Sequence, residues 1–167
     1  MNKIIRGLDG LIDSVNKALM ASAGVLLIAM VCLATLNVIL RKAGFPMNGA
    51  FEIMGFFGAL VASFAMGQTL KAGEHIAIDV IVKMLPRVVQ RIFLTANDIV
   101  SAVFFGLAAW KIIVLGTNLW RVNDLSETLR IPYFPFLYGV AFGSIVMTLM
   151  IIVEGAKRFV PPGEVKP

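Results

Sequence analysis

The chain has 167 residues, of which 59% are hydrophobic and 15% charged, with a mean hydropathy of +0.88; soluble domains carry about a quarter charged residues. At about 20 apolar residues per crossing of the hydrocarbon core, this length holds four membrane helices with short connections and leaves no room for a large catalytic domain beside them. The net charge of +5 lies in loops and helix ends, where the positive-inside tendency and anionic headgroups place it, so a nucleic-acid-binding role is excluded.

The expected fold is an all-α membrane protein with four transmembrane helices behind an N-terminal amphipathic interfacial helix. In residues 1–17, Ile4, Ile5, Leu8, Leu11, Ile12 and Val15 recur at helical spacing, while Lys3, Arg6, Asp9, Asp13 and Lys17 take the other face. That pattern suits a helix lying in the membrane interface, with a plain extension of the first crossing as the alternative. The first crossing, residues 18–40, is uncharged and ends at Arg41-Lys42; it is too long for a signal h-region and reads as a retained helix. Gly44, Pro46 and Gly49 make the next link a tight turn.

The second crossing spans residues 51–70, with Glu52 in its first turn. A polar connection through Gly73-Glu74-His75-Ile76-Ala77-Ile78-Asp79 leads to Pro86, which suits the first turn of a helix. The third crossing, residues 90–116, is interrupted by Asn97, Asp98 and Lys111. The fourth, residues 131–153, opens with Ile131-Pro132-Tyr133-Phe134-Pro135-Phe136, aromatics that fit an interfacial belt with Trp110 and Trp120. The membrane domain closes at residue 160, and residues 161–167 are a cytoplasmic tail.

Orientation follows from the loops counted alternately. Lys3, Arg6, Lys17, Lys71, Lys83, Arg87, Arg91, Lys157, Arg158 and Lys166 fall on one side; Arg41, Lys42, Arg121 and Arg130 fall on the other, with Lys111 if it extends outward. Ten against five puts both termini in the cytoplasm. In a bacterial inner membrane, the Arg41 loop and the Asn118–Arg130 loop then face the periplasm.

Gly55, Ala59, Ser63 and Gly67 recur every fourth residue along the second crossing, and Gly139 and Gly143 repeat the spacing on the fourth. Such faces let helices approach closely, inside this bundle or against a partner protein. Glu52 needs a partner because a charge at membrane depth costs about 2.5–3.5 kcal/mol on insertion scales. Arg41 is the leading choice; one carboxylate offers too few ligands for a cation cage. Asp98 and Lys111, thirteen apart, point to roughly opposite faces, so Asp98 faces another helix, a water pocket or a partner, and Lys111 can stretch toward the outer interface.

His75 and Asp79 share a face if their segment is helical, which suits a structural role at the cytoplasmic side; two ligands do not make a metal site. No catalytic, cofactor or metal residues are expected. Cys32 is alone, no Gly-rich phosphate loop or HExxH zinc motif appears, and one histidine cannot supply the two axial ligands of a haem-b anchor.

Taken in order, Arg41, Glu52, the 73–79 segment before Leu85-Pro86, and Ser126-Glu127-Thr128-Leu129-Arg130-Ile131-Pro132 resemble the small, DctQ-type membrane subunit of tripartite ATP-independent periplasmic (TRAP) transporters, over nearly the whole chain. The resemblance implies a scaffold for a large elevator-type subunit on a separate chain, fed by a periplasmic substrate-binding protein. It also implies sodium-driven uptake of an organic anion such as a C4-dicarboxylate or sialic acid, with sodium handled by the partner. From position and charge, Arg41 and Glu52 are expected to anchor the outer helix ends and His75 and Asp79 to organise the cytoplasmic side, and the binding protein is expected to meet the loop carrying Arg121, Asn123, Asp124, Ser126 and Glu127. The rival readings are an enzyme's membrane anchor and a small dimeric exporter, though the latter's acidic residue in the middle of the first helix is missing.

Overall fold

The computed structural model describes residues 2–71 and 87–159. They form four α-helices, α1 (Asn2–Lys42), α2 (Ala50–Lys71), α3 (Arg87–Arg121) and α4 (Phe134–Phe159). Each contains a stretch long and apolar enough to cross a membrane. Among the described residues the only extended pairing is one bridge, Leu125 with Pro132.

The α1 helix runs unbroken for 41 residues, about 62 Å at 1.5 Å per residue, roughly twice the thickness of the hydrocarbon core. The expected boundary between an interfacial helix and the first crossing at residues 17 and 18 is therefore not a structural one. Nothing in Asn16-Lys17-Ala18 stops a helix, and Ile12 and Val15 pack with Phe64 against Leu19, Val146 and Met150. From Ile12 onward, the apolar face of the N-terminal segment has a protein partner.

Two helices end by the same device. Gly44 N–H bonds to Arg41 C=O and Phe45 N–H to Leu40 C=O, with Gly44 at φ 87°. At the end of α3, Asn123 N–H bonds to Trp120 C=O and Asp124 N–H to Leu119 C=O, with Asn123 at φ 50°. Both are Schellman caps, which need a left-handed residue and fall on the types that tolerate it.

Among the described residues, the α4 helix is the hub and touches the other three; α1 also packs on α2, whereas α3 touches α4 alone. Accordingly Ala141, Val146, Met147, Met150 and Ile151 are buried. With no hydrophobic force between helices in lipid, close approach holds such a seam together, and small residues permit it. Ser63 of α2 sits against Gly143 and donates to the Val140 carbonyl at 2.8 Å. Leu60 covers Gly139, and Gly67 lies against Asn16 and Met150.

The small-residue row of α2 is only half used in this way. Ser63 and Gly67 are buried, but Gly55 and Ala59 are exposed. A four-residue step turns the helix by about 400°, so the row drifts by about 40° per step, and Gly55 lies about a third of a turn from Gly67.

On α3, Asp98, expected to face another helix, a water pocket or a partner, lies beside Gly155 of α4. Lys111 is exposed, with its ammonium 5.9 Å from the Trp110 ring.

Candidate functional site

The α1–α2 and α3–α4 loops meet at one end of the bundle. Gly49, at φ 86°, caps α2 by accepting from the N–H groups of Glu52 and Ile53. A side chain on Gly49 would run into Leu129 of the second loop, so only a glycine lets the two loops touch here. The cap sets Glu52 in the first turn of α2 with its carboxylate turned toward that second loop.

That loop is folded on itself before it meets Glu52. Ser126 N–H donates to Ile131 C=O at 2.9 Å, and Arg130 N–H to Ser126 C=O at 3.1 Å. The Ser126 hydroxyl also accepts from Ile131 N–H at 3.3 Å, and Arg130 closes the turn at φ 52°. The curl leaves two amides aimed outward. Glu52 takes both, accepting from Thr128 N–H at 2.7 Å and Leu129 N–H at 3.1 Å, together with the Ser126 hydroxyl at 2.7 Å. A carboxylate facing several N–H groups is a favourable, charge-assisted arrangement.

Two expectations are corrected here. Glu52 engages Ser126, Thr128 and Leu129, not Arg41. Counting charges pointed to the nearest arginine, but uncharged donors at the right distance satisfy the carboxylate, and Arg41 remains exposed. Ser126, expected on the docking face, is only 2% exposed and works inside the loop. Its neighbours Arg121, Asn123, Asp124 and Glu127 are exposed, as are Lys42 and Arg130.

Aromatic packing stiffens the ground beneath the loops. Phe56 stacks on Phe136 with ring centroids 4.2 Å apart and meets Tyr133 edge-on at 5.4 Å. Phe134 lies between Trp120 and Tyr138, at 6.3 Å from each, and Tyr138 is hydrogen-bonded to Thr117 at 3.3 Å. Phe45, Phe51, Trp120 and Val122 are exposed around the rim. The result is a fixed surface of mixed charge and apolar rim, suited to protein and interface contact.

His75 and Asp79 lie outside the described residues. Among the described residues, no cluster of three His, Cys, Asp or Glu could hold a metal ion.

The opposite end of the bundle holds a polar contact that sequence reasoning missed. Asn16 of α1 is 1% exposed and donates from Nδ2 to Gln68 Oε1 at 3.2 Å. Its enclosed Oδ1 has no hydrogen-bond partner and rests where a side chain on Gly67 would be, a position suited to a weak Cα–H···O contact. The available signal was two amides near matching ends of consecutive antiparallel helices.

The family model for the DctQ component of tripartite ATP-independent periplasmic transporters matches residues 30–160. No curated protein and no solved structure matches the chain. A match over most of the chain, on a frame of four membrane-spanning helices, shows that this protein belongs to the DctQ family and is a multi-pass membrane component of a TRAP transporter.

Proposed function

We propose that the chain is a scaffold subunit that holds a separate, large transport subunit in the bacterial inner membrane and presents its loop end to a periplasmic substrate-binding protein. Transport is sodium-coupled import of an organic anion, a C4-dicarboxylate, sialic acid or related acid, whose path lies in the large subunit. Both termini are cytoplasmic, which turns the Glu52-pinned loops outward. His75 and Asp79 serve the cytoplasmic side, and Arg121, Asn123, Asp124 and Glu127 meet the binding protein.

The observation that carries this reading is the pinning of the α3–α4 loop to the start of α2 by one carboxylate, which makes an ordered surface at the loop end. Maintaining such a surface is work for a docking subunit. Affinity purification of the tagged chain in mild detergent, followed by mass spectrometry, should recover a much larger, many-helix membrane protein in equal amount. Its absence would sink the proposal, as would transport of an organic cation against a proton gradient by this chain alone in liposomes.

A further inference from the structure

The α3 helix has a free face, and the charge on it sits too deep to be explained by lipid. Ala109, buried against α4, marks the inner side of the helix. Lys111 follows two residues later, about 200° around the axis at 100° per residue. Phe93, Val100, Phe104 and Leu107 fall on the same outward side, and all are exposed.

Depth can be read from the α3–α4 seam. Gly106 faces Thr148, and Gly116 faces Leu137 and Tyr138. Lys111, midway between these glycines, is thus level with Gly143, which itself packs on Ser63 of α2. Gly143 lies nine residues inside the start of α4, about 13 Å along the axis; half the hydrocarbon core is about 15 Å. With the start of α4 taken as the outer boundary of the hydrocarbon core, Lys111 lies near the middle of the bilayer, and its neighbour Trp110 lies below the interfacial belt expected for it, about 15 Å along the helix from Trp120. A lysine stem spans less than half the remaining distance to the surface, so stretching outward does not bring the ammonium to water. The Trp110 ring face offers some stabilisation, but a ring is no substitute for an anion in hydrocarbon.

We infer that the outward face of α3 docks a transmembrane helix of the large subunit that presents a carboxylate at mid-membrane depth to Lys111. The apolar residues on either side supply the packing, and the ion pair fixes the axial register of the two helices. This rests on the scaffold reading above. It also accords with the packing of the described residues, among which α3 touches only α4.

The test compares Lys111→Met with the wild type in the detergent-purified complex, alongside a photoreactive benzophenone residue placed at Leu107. Methionine removes a costly charge, so if lipid covers this face, the isolated chain gains stability and partner recovery is unchanged. If the face docks a carboxylate, recovery of the large subunit falls at least tenfold while the thermal unfolding of the isolated chain does not worsen, and Lys111→Arg retains most of the recovery. The probe at Leu107 should then cross-link to the large subunit. Cross-linking only to lipid or to a second copy of this chain, with recovery undiminished in Lys111→Met, overturns the α3 assignment and leaves the scaffold reading standing. Failure of the wild type to recover any large subunit overturns both.

Discussion

Substitution of Gly143 by alanine tests the α2–α4 seam most directly. A methyl group there would collide with the Ser63 hydroxyl and stand 3.0 Å from the Ser63 carbonyl oxygen and 3.1 Å from its carbon. The hydroxyl can rotate away, at the expense of its 2.8 Å bond to Val140; the backbone cannot, so α2 and α4 must part. Overpacking of this kind costs about 1–3 kcal/mol, and the lost hydrogen bond about 1 kcal/mol. Alanine's better helix propensity returns about 0.5–1 kcal/mol, leaving a net loss of about 1–3 kcal/mol. At roughly 2–4 °C per kcal/mol for a chain of this size, apparent Tm in mild detergent should fall by about 5 °C. Gly55→Ala is the matched control, since nothing lies within 4 Å of its added methyl and only the propensity gain remains. Adding Ser63→Gly to Gly143→Ala should restore part of the stability, because the backbone contacts persist. If Gly143→Ala and Gly55→Ala both melt at or above the wild type, the close packing inferred for this seam is wrong.

The other expectations concern the two polar centres. Glu52→Ala should leave the four helices intact but free the second loop, so that the Thr128 and Leu129 amides exchange with deuterium markedly faster; Glu52→Gln, which keeps one acceptor, should fall between. In the assembled transporter, Glu52→Ala should lower recovery of partners more than transport per recovered complex. Lost transport with undiminished assembly would instead assign Glu52 to ion coupling. Gly67→Ala should destabilise the chain by about 1–3 kcal/mol through contact with Asn16 and Met150. Adding Asn16→Ala should recover at least about 1 kcal/mol in a double-mutant cycle of thermal unfolding, as expected for residues in direct contact.

Hydropathy alone pointed to four helices long and apolar enough to cross a membrane, because a helix in lipid must be long and almost free of charge, and both demands are written into composition. What it could not convey was which side of each helix meets protein. In a soluble bundle the buried face is apolar and the outer face polar, but here both are apolar, so Ala109 and Leu107 look alike in sequence yet lie on opposite sides. The regular spacing of Gly55, Ala59, Ser63 and Gly67 suggested one continuous groove, whereas helical drift divides it between a packed half and an open half. That the N-terminal segment and the first crossing form one unbroken helix was not legible, because the amphipathic pattern of residues 1–17 is the same whether its apolar face meets lipid headgroups or Met150. At the candidate site, Glu52 and Ser126 were both singled out, but their meeting was not foreseen. The deciding groups were backbone amides of Thr128 and Leu129, and an amide carries no side-chain signature.

The Glu52 clamp also bears on the thermodynamics of encounter. Fixing the backbone of a loose loop costs about 1–2 kcal/mol per residue, and a protein that lands on a disordered segment must supply that from its own contacts. Here the stretch from Ser126 to Leu129 is already ordered by hydrogen bonds within the chain. Under the docking role proposed above, an incoming protein retains that free energy as affinity, or gives it up for a shorter residence time. For a partner that docks and leaves repeatedly, as the proposed role requires, the second choice is the useful one: weak contacts suffice when the surface they meet is preorganised.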